Sequence, residues 1–132
     1  MPDVNWIAVL LCAVSSLALG GIWYSPMLFA KPWQRAAGLS DEQAKSGNMA
    51  MIFGLTFVLS LIAALVFAMF LGRNFGLVPA IGAGASAGLC WVAASLGISY
   101  LFEHRPLTLW LINGGYHTLQ FTLFGVILGW MH

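Results

Sequence analysis

The chain has 132 residues, of which 61% are hydrophobic and 7% charged, against roughly 25% charged in an ordinary soluble domain. That balance excludes a conventional soluble domain. A net charge of +1 without a basic run also leaves nothing to hold a nucleic acid. The charged residues (Asp3, Lys31, Arg35, Asp41, Glu42, Lys45, Arg73, Glu103, Arg105) all fall outside four apolar segments, at about 4–24, 48–71, 77–102 and 107–131. Each segment is long enough, at about 1.5 Å per helical residue, to cross a hydrocarbon core of roughly 30 Å. The expected fold class is an all-α integral membrane protein: one four-transmembrane-helix bundle over 1–132, with a short interfacial helix in the first loop.

The first segment follows "MPDVNW", which carries Asp3 and no cation, so it reads as a retained helix rather than a cleaved signal. Cys12 and Cys90 lie in the first and third segments without metal-knuckle or redox spacing, and are expected to be small buried hydrophobes. In the first loop, Pro32 opens a turn that Gly38 closes, which predicts a short helix over "KPWQRAA" at the membrane interface. Lys31, Arg35 and Trp33 suit that depth. Ser40 with Gln43 makes a capping box, and Asp41 with Glu42 suits the positive end of a helix dipole, so the next long helix is expected to begin near Asp41.

The second segment, "FGLTFVLSLIAALVFAMFLG", shows no polar stripe. The third opens on "PAIGAGASAG", where Gly84 and Gly88 have the G-x-x-x-G spacing that lets helix backbones approach closely. It is expected to be the central helix, with Trp91 filling a gap among its small neighbours.

The fourth segment carries "INGGYHTLQ" in the middle of its apolar run. At about 100° per residue, Asn113, Tyr116, His117 and Gln120 share one arc of about 100°, while Gly125 and Gly129 lie nearly opposite. His117 is about 15 Å beyond Leu107, close to the midplane. Polar groups exposed to lipid there would go unpaired, so the arc must face protein or water. Ser15, Ser16, Thr56, Ser60, Ser86, Ser95 and Ser99 are candidate partners on other segments. Pro106 can start this helix at its first position, with Arg105 as a headgroup anchor.

Lys31, Arg35 and Lys45 in the first loop and Arg105 in the third outweigh Arg73 in the second, which places both termini outside. "WYSP" at Trp23, Tyr24, Ser25 and Pro26, "RPL" from Arg105, and "INGGYH" from Ile112 to His117 resemble a family of short bacterial membrane proteins catalogued as domain of unknown function 1761. The likeness covers nearly the whole chain, with alanine common in that family where this chain has Gly114. It implies a four-span integral membrane protein, for which the expected location is the bacterial inner membrane, and draws Trp23, Tyr24, Ser25, Pro26, Arg105, Asn113, Tyr116 and His117 into one site. It implies no activity, so no catalytic residue is carried over.

Three functions compete on this sequence. The favoured one is a small non-catalytic membrane protein acting through helix association, as a homo-oligomer or as an accessory subunit of a membrane complex, with the polar arc as a packing lock. The second is a small transporter or channel for a proton, ion or small solute, lined by that arc; no span carries a carboxylate to help it. An enzyme is least supported, because His104, His117 and His132 are dispersed and no cofactor motif or metal-ligand cluster is visible. The expected partners are membrane lipids and other copies or other membrane proteins.

Overall fold

The computed structural model describes residues 4–25, 27–40, 49–72 and 75–131. Its elements are α1 (Trp6–Trp23), α2 (Ala30–Ala37), α3 (Met49–Leu71), α4 (Leu77–Ser86), a π-helical segment (Ala87–Ala93), α5 (Ala94–Phe102) and α6 (Leu107–Met131). α4, the π segment and α5 run on without a break as one rod, Leu77–Phe102. Among the described residues, three helices are long and apolar enough to cross a membrane: Trp6–Trp23, Ala50–Leu71 and Leu77–Phe102. α6 has 25 residues, yet the polar residues of "INGGYHTLQ" dilute its hydropathy and it is not among those three.

The helix ends are explained locally. Asn5 caps α1 by accepting the Ala8 N–H at 3.1 Å, and its amide donates to the Met131 carbonyl at 2.6 Å, tying the start of α1 to the end of α6. α2 begins at Ala30, one residue before the expected start at Lys31. Pro32 therefore sits inside the first turn, where a missing N–H breaks no intrahelical bond. Gly38 ends α2 at φ 75°, with the Leu39 N–H donating back to the Gln34 carbonyl at 3.0 Å. The expected capping box at Ser40 and Gln43, and the helix start near Asp41, involve residues outside the described ones, as do Asp3, Pro26, Arg73 and His132.

α5 ends in the same manner, but on a residue with a side chain: His104 has φ 56°, and the Arg105 N–H donates to the Tyr100 carbonyl at 2.9 Å. A left-handed conformation costs a non-glycine residue about 1–2 kcal/mol. His104→Gly is therefore expected to raise stability by about 1 kcal/mol, read as a higher midpoint of thermal unfolding in detergent. A lower midpoint would mean that the imidazole makes a contact worth more than the strain.

α1 and α6 lie antiparallel along their full lengths. Trp23 Nε1 donates to the Ile112 carbonyl at 2.9 Å at one end, and Asn5 meets Met131 at the other. The residues of α1 that turn inward are small and recur every fourth position (Ala8, Cys12, Ser16), a stripe that Gly20 extends beneath Tyr116. The apolar core joins Val4, Val9 and Cys12 to Phe67 and Ala68 of α3 and to Phe124 and Leu128 of α6. α3 contributes mainly through its second half; 50–55 are exposed.

Three expectations are corrected here. The central helix is α6 rather than the third segment, because α6 alone presents one face of polar groups and another of glycines, and so packs against α1, the α4–π–α5 rod, α2 and α3. Trp91 is 69% exposed and fills no internal gap. With α-helical winding it would share the face of Gly84, seven residues earlier. The i→i+5 winding of the π segment advances fewer degrees per residue and turns it outward. Cys90, expected to be buried, is exposed as well, whereas Cys12 is fully buried as expected.

Candidate functional site

The close approach of α4 and the π segment to α6 positions everything else. A Cβ at Gly84 would collide with the Phe121 carbonyl, and one at Gly125 with the Ala80 carbonyl. One at Gly88 would lie 2.7 Å from the His117 carbonyl, and one at Gly129 would lie 3.0 Å from the Leu77 Cα. Gly84, Gly88, Gly125 and Gly129 thus form one backbone-to-backbone seam within the chain. That seam clamps one side of α6 and leaves its polar arc aimed at α1 and at the end of α5.

The arc divides into two hydrogen-bonded groups. In the deeper group, Tyr116 Oη donates to the Ser16 carbonyl at 2.9 Å and Gln120 Nε2 donates to Ser16 Oγ at 2.9 Å. Tyr116, Gln120 and Ser16 are all buried. Gln120 Oε1 lies 2.8 Å from His117 Nδ1. A carbonyl oxygen only accepts, so the neutral imidazole carries its proton on Nδ1 and presents a lone pair at Nε2. Among the described residues, Nε2 makes no hydrogen bond.

The second group lies nearer the start of α6. Tyr24 Oη donates to Asn113 Oδ1 at 2.6 Å, and Asn113 Nδ2 donates to Tyr100 Oη at 2.8 Å. One amide therefore bridges the end of α1 to α5. Aromatic contacts join the two groups: Tyr24 to Tyr116 with ring centroids 5.5 Å apart, Tyr116 to His117 at 4.9 Å, and Tyr24 to Trp33 of α2 at 5.6 Å. Trp33 thereby holds α2 against the bundle.

Of the residues singled out in the sequence, Trp23, Tyr24, Asn113, Tyr116, His117 and Gln120 come together. Ser25 is adjacent but turned away, its hydroxyl donating to the Ile22 carbonyl at 2.7 Å. Arg105 pairs with Glu103 at 3.0 Å on the surface, and neither it nor Pro106 reaches the polar arc. Pro26 lies outside the described residues. Ser16 is the one anticipated partner that the arc engages. Thr56 instead donates to the Ile52 carbonyl of its own helix at 2.7 Å.

Two contributors escaped the sequence reading, and a third, Ser16, was not singled out. Tyr100 lies near the end of the third segment, and only the fold brings it across to Asn113. Trp110 donates its indole N–H to the Ala93 carbonyl at 2.7 Å, at the end of the π segment, in a slot that Gly97 opens. Ser16 was one of several candidates, although the four-residue recurrence Ala8, Cys12, Ser16, Gly20 was a readable sign that this face of α1 meets another helix. Among the described residues no group of three or more His, Cys, Asp or Glu is arranged to hold a metal ion.

No curated protein and no solved structure matches the chain. A family model matches residues 7–129, nearly the whole length and including the "INGGYH" cluster, so the chain belongs to the family described as protein of unknown function (DUF1761).

Proposed function

We propose that this is a four-span protein of the bacterial inner membrane, without catalytic activity, that works by associating with other membrane helices as a homo-oligomer or as an accessory subunit. α6 runs antiparallel to α1 from Ile112, opposite Trp23, to Met131, opposite Asn5. If α1 crosses the bilayer, α6 crosses it at the same depth. Lys31, Arg35 and Arg105 cluster at the end where α1 leads into α2 and α5 into α6, while the described termini lie at the other. The positive-inside rule then puts both termini outside.

The observation that carries the association reading is that Asn113, Tyr116 and Gln120 are spent on partners within one chain. The polar arc works as a lock that fixes the bundle, which leaves the apolar outer faces as the surface for activity. Counting photobleaching steps of labelled protein in native-lipid discs tests the homo-oligomer, with two or more copies per disc expected. Single steps throughout, together with no stoichiometric partner in the same discs, would sink the association reading.

One observation favours the alternative of a small transporter or channel: the lone pair on His117 Nε2, half-buried at mid-depth. The test is flux of protons and small ions into liposomes containing the native protein or His117→Ala. Flux that depends on His117 would favour transport, and equal rates in both would remove it.

A further inference from the structure

Between α6 and the π segment, closed on the α1 side by Trp23, runs a groove of about 340 Å³, walled by Trp23, Trp110 and Leu89 and floored by Gly114 and Gly115. It exists because "INGGYH" places two glycines where side chains would otherwise stand. A Cβ at Gly115 would lie 3.1 Å from the Trp23 indole, and one at Gly114 would lie 3.3 Å from Ala93 Cβ. The polar groups of its lining are already committed. Trp23 Nε1 donates to the Ile112 carbonyl, Trp110 Nε1 to the Ala93 carbonyl, and Thr118 Oγ1 to the Gly114 carbonyl. A ligand with donors or acceptors would find no counterpart here, whereas a hydrocarbon chain loses nothing.

Position adds a second constraint. The groove follows α6 from Trp110 to Leu119, roughly 13 Å of helix and close to the depth of one leaflet. Its indole-walled end is the one where Phe29 stacks on Trp23, ring centroids 4.7 Å apart. Lys31, two residues beyond Phe29, is exposed there, and Arg105 stands just ahead of α6. A cation at headgroup level above a dry slot one leaflet deep matches one amphiphile.

We infer that this groove binds one acyl chain of an anionic phospholipid, with Lys31 at the phosphate, so that the double glycine of "INGGYH" serves lipid recognition while its polar residues lock the bundle. The inference rests on the membrane-embedded reading proposed above. Its test uses the full chain in phosphatidylcholine vesicles doped with phosphatidylglycerol bearing a diazirine on its acyl chain. A parallel sample carries the same diazirine on phosphatidylcholine. Adducts are mapped by peptide mass spectrometry.

The phosphatidylglycerol probe is expected to label Leu111 to Leu119 and Leu89 to Ala93 about fivefold more than the phosphatidylcholine probe, the value of one surface cation. Lys31→Gln should erase that preference. Gly115→Leu should abolish groove labelling without changing that of the exposed face of α3. Should Gly115→Leu not fold, Leu119→Trp closes the groove from its rim and serves in its place. Groove labelling that is equal for the two probes, or that persists with the groove closed, overturns the inference while leaving the membrane reading intact. Absence of adducts from every helix, α3 included, overturns both.

Discussion

Gly84→Ala is expected to destabilise the bundle by about 3 kcal/mol, at the upper end of what overpacking costs, and Gly125→Ala by a comparable amount. The reason is the identity of the obstructing atoms. At Gly84 the added methyl would meet the Phe121 carbonyl, and at Gly125 the Ala80 carbonyl; both are backbone, with no rotamer by which to move aside. The rod and α6 must separate, and separation loosens the contacts at Gly88 and Gly129 as well. Gly54→Ala and Gly82→Ala are the controls, because a Cβ at either position meets nothing within 4 Å. They should be neutral or slightly stabilising, since alanine is the better helix former. Equilibrium unfolding in mixed micelles gives all four values. The seam would be refuted if Gly84→Ala and Gly54→Ala unfolded alike. Because Gly84 and Gly125 serve one interface, the double variant should cost less than the two singles added together.

That seam shows how a motif can be legible while its use is not. The four-residue spacing of Gly84 and Gly88 announces a close helix contact, but the same spacing serves a contact within the chain and one between chains. The structure places it within, and the small face of α6 with it, so neither remains free to support oligomerisation. Helix positions were readable because segments free of charge must be bounded by charge and by turn residues. The π segment was not readable, since Ala87 to Ala93 carries no local cue against α-helical winding. The misplacement of Trp91 follows from that omission. In the site, the arc of Asn113, Tyr116, His117 and Gln120 could be drawn from α-helical geometry alone. The partners could not, because Tyr24 and Tyr100 come from helix ends that only the antiparallel packing of α1 and the turn at His104 bring alongside Asn113.

The bridging amide is where the lock can be tested most sharply. Asn113→Leu keeps the volume of the side chain but strips Tyr24 of its acceptor and Tyr100 of its donor, leaving two half-buried hydroxyls to find other partners. With each of the two lost bonds worth roughly 0.6–2 kcal/mol in a membrane interior, the expected loss is about 1–4 kcal/mol. The combination with Tyr24→Phe and Tyr100→Phe is the more telling variant. It removes the hydroxyls together with the amide, and replacing all partners by apolar groups of similar shape leaves nothing unpaired. The triple variant should therefore be more stable than Asn113→Leu alone, although it carries more substitutions. A simple sum of contact energies predicts the reverse order. Unfolding midpoints of the native protein, the single variant and the triple variant under one detergent condition distinguish the two. If the triple variant is the least stable, the three side chains act separately, and the lock must rest on Tyr116, Gln120 and Ser16. If it recovers, Asn113 stands in this helix because two tyrosines from other helices require it.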